Sequence, residues 1–175
     1  AIAPKAKAGA LRTLGTNLTF EDCIVRSCSA SGDGGAVSHY ANNSDKLKGS
    51  TTIVSRCSFS DCMNTLVSSS SAGAVHTTAE SFILTDCDFT DCICPSKQAG
   101  AVQHYRNVTT DASTANISGC TFLRCKTTGN GTKNAYGGAL NTDAFTATVS
   151  DCTFTSCSGR IGGALSSPGN TTDNL

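Results

Sequence analysis

The chain has 175 residues, of which 15% are charged and 6% aromatic, with no Trp, one Met and a formal net charge of zero. So even a charge balance excludes the basic footprint of a nucleic-acid or anionic-membrane binder, and no apolar run is long enough to cross a bilayer. An excess of Ser, Thr, Gly and Ala over Leu, Glu and Lys excludes a helical protein.

The chain opens on Ala with no signal-like apolar stretch, as a processed or excerpted segment would. Residues 1–7, "AIAPKAK", read as an extended arm that can reach a neighbouring subunit. Two phrases then alternate to the end. The first is "AGAL" at Ala8, "GGAV" at Gly34, "AGAV" at Ala72 and Ala99, and "GGAL" at Gly137 and Gly162. The second is "CIVRSC" from Cys23 to Cys28, "CSFSDC" from Cys57 to Cys62, "CDFTDC" from Cys87 to Cys92, "CTFLRC" from Cys120 to Cys125 and "CTFTSC" from Cys152 to Cys157. Self-similarity at this period marks a solenoid.

Around each cysteine phrase the apolar residues keep fixed places. Leu18, Thr52, Phe82, Ala115 and Ala147 stand five positions before the first Cys. Phe20, Val54, Leu84, Ile117 and Val149 stand three before it, and Val25, Phe59, Phe89, Phe122 and Phe154 two after it. Steps of two are strand-like, with alternate residues on one face. The steps of three, into each Cys, need a bend if both residues are to face inward. Short strands joined by repeated bends describe a parallel β-helix, an all-β solenoid of about five to six turns stacked at roughly 4.8 Å. Its bounds are 8–170, with 171–175 as a C-terminal tail. The Gly-Ala phrase suits a place where neighbouring backbones come close.

The pairing of Gly-Gly-Ala-[Val/Leu] with a downstream Phe-x-x-[fixed residue] resembles the repeats of chlamydial polymorphic outer membrane proteins, which carry Gly-Gly-Ala-Ile and Phe-x-x-Asn. Phe59, Phe89, Phe122 and Phe154 match the Phe, while Cys62, Cys92, Cys125 and Cys157 stand in place of the Asn. The resemblance covers residues 8 to 165. It implies a right-handed coil and the passenger region of an autotransporter-type adhesin.

Eleven cysteines in regular pairs point to an oxidising compartment. The C-x4-C spacing lacks the C-x2-C hook of zinc and redox sites, so no metal and no cofactor is expected. Cysteines in one column of adjacent turns lie within disulfide range, and so could two across one bend. Parity favours the second: pairing along a column of five leaves one over in each. The expected bridges are Cys23–Cys28, Cys57–Cys62, Cys87–Cys92, Cys120–Cys125 and Cys152–Cys157, with Cys94 outside the scheme and able to exchange with Cys92 or to bond another chain.

Six N-x-[ST] sequons, at Asn17, Asn42, Asn107, Asn116, Asn130 and Asn170, predict N-linked glycans on a secreted or cell-surface eukaryotic protein. Gly9, Gly35, Gly73, Gly100, Gly138 and Gly163 are spaced by 26, 38, 27, 38 and 25 residues, a two-turn super-repeat. Asn42, Asn107 and Asn170 fall seven residues after Gly35, Gly100 and Gly163, so a glycan row is expected on every second turn. Asn17 and Asn116 fall on outward strand positions, and Asn130 in a Gly-rich loop. His39 and His104 hold equivalent places, each followed by a Tyr. Loop packing beside a glycan is the expected role, with a paired metal or ligand role the alternative.

The carboxylates Asp61, Asp86, Asp88, Asp91 and Asp151 border the phrases as repeat decoration rather than as one catalytic constellation. The expected protein is therefore not an enzyme but a structural subunit of an extracellular glycosylated filament. Its partners are copies of itself stacked end to end, and beyond them other surface glycoproteins or glycans. The stalk of a cell-surface adhesin is the alternative, and a polysaccharide-active β-helix enzyme the lesser one.

Overall fold

The computed structural model describes residues 7–41, 49–65, 72–95, 98–105, 112–129 and 136–167. Among these there is no helix. A first pass of the chain makes β1 (Leu11–Leu14), β2 (Asn17–Glu21), β3 (Ile24–Arg26) and β4 (Ser29–Ala30). A second makes β5 (Val37–Tyr40), β6 (Thr51–Ser55), β7 (Ser58–Ser60) and β8 (Met63–Asn64). A third makes β9 (Val75–Thr77), β10 (Ser81–Thr85), β11 (Asp88–Thr90) and β12 (Ile93–Cys94). A fourth makes β13 (Val102–His104), β14 (Thr114–Ser118), β15 (Thr121–Leu123) and β16 (Lys126–Thr127). There follow β17 (Leu140–Thr142), β18 (Thr146–Ser150), β19 (Thr153–Thr155) and β20 (Leu165–Ser166).

Equivalent strands pair in parallel into four sheets of six, five, five and four strands, a parallel β-solenoid. The register joins the residues that the repeat aligns. Leu18, Thr52, Phe82, Ala115 and Ala147 form one inward column, and Phe20, Val54, Leu84, Ile117 and Val149 the next. In the third sheet Val25, Phe59, Phe89, Phe122 and Phe154 are in line. The four phenyl rings stack at 4.9, 4.9 and 4.8 Å with planes within 5°. An aromatic contact of this kind adds about 0.5–1.5 kcal/mol beyond burial.

The expected bends have one structural cause. Asp22, Ser27, Arg56, Asp61, Asp86, Asp91, Arg124, Asp151 and Ser156 have φ between 51° and 54°, and Gly119 has φ 64°. These ten residues immediately precede the ten phrase cysteines. One left-handed residue turns the chain by a corner while its N–H continues the ladder, as in Asp22 N–H to Ser55 O (3.1 Å) and Arg56 N–H to Thr85 O (3.0 Å).

The Gly-Ala phrase makes the other corner. A Cβ on Gly9, Gly35, Gly73, Gly100 or Gly138 would lie 1.8–2.2 Å from the carbonyl oxygen of the equivalent glycine one turn on. The carbonyl of the following Ala accepts two N–H groups from the previous turn. Ala74 O, for example, takes those of Ala36 (3.0 Å) and Val37 (2.9 Å). The two-turn super-repeat is visible as well. Only residues 78–80 join β9 to β10 and 143–145 join β17 to β18, whereas 41–50 and 105–113 make the equivalent joins in the passes between.

Residues 1–6 of the arm and all of 171–175 lie outside the described residues. The carbonyl of Lys7 accepts the N–H groups of Asp33 (3.1 Å) and Gly34 (3.4 Å).

Candidate functional site: the thiol columns, the histidine corners and the ends of the coil

Each left-handed residue swings the following cysteine side chain inward. The thiols of Cys23, Cys57, Cys87, Cys120 and Cys152 contact the carbonyl two residues back at 3.0–3.2 Å. Those of Cys28, Cys62, Cys92, Cys125 and Cys157 do so at 3.4–3.7 Å. The weak S–H donor thereby meets the carbonyl at the end of each strand.

The sulfurs form two columns running along the stack. Cys23 N–H points at Cys57 Sγ (3.5 Å), and Cys57 N–H at Cys87 Sγ (3.4 Å). Hydrogen bonds with Cys125 and Cys62, and then burial, push the Cys92 thiol well above its ordinary value. A hydrogen bond with Cys87 and then burial raise that of Cys120.

The columns bear on the expected bridges Cys23–Cys28, Cys57–Cys62, Cys87–Cys92, Cys120–Cys125 and Cys152–Cys157 through distance alone, since all eleven cysteines, in any pairing, are thiols here. The residues between the two cysteines of a phrase form a strand, as Ile24–Arg26 does between Cys23 and Cys28. Three extended residues span roughly 10 Å, beyond the ~7 Å Cα limit of a disulfide. Parity had favoured a pairing that strand geometry forbids. Cys94 is buried in β12, in register with Thr127.

The histidines are corner braces. His39 and His104 are both fully buried. Nε2–H of His39 donates to Gly15 O (3.1 Å) and that of His104 to Ala79 O (2.8 Å). Each carbonyl sits at a short corner one pass earlier. With Nε2 donating, Nδ1 accepts, from Thr52 Oγ1 (2.6 Å) in His39 and from Thr142 Oγ1 (3.1 Å) in His104. Burial lowers both pKa values, that of His104 to about 4, which favours the neutral ring in each. Among the described residues no group of three or more His, Cys, Asp or Glu could hold a metal ion.

His76 escaped the sequence reading, although "GAVHTT" aligns with "GAVSHY" and "GAVQHY". It lies between Ser38 and Gln103 in the first sheet, next to Asn141 beyond Gln103. Burial lowers its pKa to about 4. Asn141 Nδ2 donates to Gln103 Oε1 (2.8 Å), while Ser38 Oγ, His76 Nδ1 and Asn141 Oδ1 are buried with no hydrogen-bond partner.

On the outside, Arg56 makes a bidentate pair with Asp22 (2.7 and 2.9 Å) and Arg124 one with Asp91 (2.7 and 2.6 Å), each across one turn. Asp61, Asp86 and Asp151 are corner residues of the same kind, and Asp88 lies in β11. Asn17 and Asn116 are exposed on β2 and β14, on the same face as Thr19 and Ser118 of their sequons. Asn17 Oδ1 accepts the N–H of Thr51 (3.1 Å). Asn42, Asn107, Asn130 and Asn170 lie outside the described residues.

Among the described residues the core columns are least covered at their two ends. Leu11, Leu18, Phe20, Cys23 and Cys28 are only partly buried at one end, and Val149, Cys152, Phe154 and Cys157 at the other. Gly163, the last of its glycine column, would meet nothing within 4 Å of an added Cβ. Comparison with family models, with curated proteins and with solved structures found no match.

Proposed function

We infer that this chain is a structural subunit of an extracellular, N-glycosylated filament, in which β-solenoids stack head to tail. The observation that supports the reading is the pair of end layers, only partly buried among the described residues, which carry the same columns in complementary sizes. Leu18 and Phe20 at one end continue the columns that close on Ala147 and Val149 at the other, and Val25 continues the column of Phe154. A heterologous contact of this kind propagates without closing and covers the bare strand edges that otherwise invite aggregation. Glycans on the outward sequons would coat the sides and leave the ends clear.

A second reading is the stalk of a cell-surface adhesin. It rests on the likeness of the Gly-Gly-Ala and Phe-x-x phrases to the polymorphic outer membrane protein repeats, and in it the end layers would be covered by further turns of one chain. Negative-stain imaging of native material separates the two. Long filaments of uniform width are expected, and dispersed monomers or single membrane-tethered chains would contradict the filament.

A further inference from the structure

We propose that the sulfur columns close by oxidation between consecutive turns, as Cys23–Cys57, Cys87–Cys120, Cys62–Cys92 and Cys125–Cys157, leaving Cys28 and Cys152 as thiols at opposite ends of the coil. In-register neighbours in parallel strands stand roughly 4.8 Å apart, inside the 4.4–6.8 Å Cα range of a disulfide. The stacked phenyl rings beside the columns confirm that spacing, at 4.8–4.9 Å.

The choice of partners follows the sulfur contacts. The side chain of Cys57 interacts with that of Cys23, and Cys120 with Cys87. In the other column Cys62 contacts Cys92, Cys125 contacts Cys157, and Cys92 and Cys125 also contact each other; pairing Cys62 with Cys92 and Cys125 with Cys157 uses four of the five and leaves over the end member with the weakest contact. Cys28 has only a longer-range interaction with Cys62. Cys152 is left over once Cys120 takes Cys87. Both remaining thiols are at column ends and partly exposed, whereas six inner members of the columns are buried.

Each bridge would form as the chain coils, by exchange with a small-molecule disulfide of the glutathione class. One protein thiolate attacks a glutathione sulfur and releases a glutathione thiol. The neighbouring protein thiolate then attacks the mixed disulfide and releases the second. The S–S bond of the oxidant breaks, the protein S–S bond forms, and the two protons leave with the two thiols. A bridge across a whole turn closes a much longer loop than one within a phrase, and so constrains the unfolded chain more.

The inference takes from the proposed function only the oxidising compartment. Reduced, denatured protein is refolded in a mixture of oxidised and reduced glutathione, alkylated and digested without reduction. The expected result is four cross-linked peptide pairs joining consecutive turns and, among the ten phrase cysteines, alkylation only at Cys28 and Cys152. Bridges within a phrase, or alkylation of all ten phrase cysteines, would overturn it. A Cys57→Ser variant should add Cys23 to the alkylated set and leave the other three bridges intact; re-pairing of Cys23 with Cys28 would count against the scheme. Imaging the reduced and oxidised samples keeps the two ideas apart, because filaments without these bridges sink only this inference, and these bridges without filaments sink only the proposed function.

Discussion

A single left-handed residue decides each corner, and its side chain can be tested alone. Asp61 has φ 54° and lies on the surface. Asp already carries a Cβ there and is tolerated through its short polar side chain, whereas the second γ-branch of a β-branched residue crowds the backbone, at a cost of about 1–2 kcal/mol that Gly avoids. Asp61→Val should therefore lower stability by about that much in urea denaturation, and Asp61→Gly should stay close to the parent. Equal losses would mean that the Asp side chain rather than the backbone holds the corner. Deeper in, Phe89 lies between Phe59 and Phe122 with no exposed surface. Phe89→Ala should cost about 3–5 kcal/mol. A loss below 1 kcal/mol would show that the stack closes over the cavity.

At the scale of strands and corners, the histidines tie stability to pH. His76 and His104 have folded pKa values of about 4, against ~6.5 in the unfolded chain. Above pH ~6.5 both states are neutral and the full stability is present. As pH falls from there toward 4, the unfolded chain takes up protons that the folded chain refuses, so stability falls. A depression of that size corresponds to roughly 3 kcal/mol for each ring. Burial causes it, and the charged or titratable groups near His76 among the described residues include Asp33, His39, His104 and Tyr40, whose ring lies 5.2 Å away. The melting temperature should drop across this window and recover part of the loss in His76→Gln. A flat profile would mean that the rings are protonated in the fold.

Much of this level was legible in the sequence. The inward columns followed from steps of two, and the close approach at the Gly-Ala phrase from residues that lack a side chain. The corners were placed correctly but their cause was not, although every phrase cysteine is preceded by Asp, Ser, Arg or Gly. Counting cysteines pointed to bridges within a phrase because it takes no account of the length of the strand between them. His76 was missed because its neighbours in sequence differ from those of His39 and His104, and only register brings the three into the same sheet.

For the whole molecule, the glycine column separates folding from assembly. A methyl group on Gly73 would meet Gly100 O at 1.9 Å, so Gly73→Ala should disrupt the coil itself. Among the described residues nothing lies within 4 Å of a Cβ added at Gly163. Gly163→Ala should therefore leave the melting temperature of the dispersed subunit unchanged but weaken head-to-tail stacking, read as shorter or fewer filaments by light scattering. If Gly163→Ala assembles as the parent does, the contact does not use that end. The most direct test of the stacked solenoid is the power spectrum of native filaments in electron cryo-microscopy. The account predicts a layer line near ~4.8 Å along the filament axis, because every turn adds one strand per sheet. Material that stays dispersed, or filaments in which that spacing runs across the axis, would contradict it.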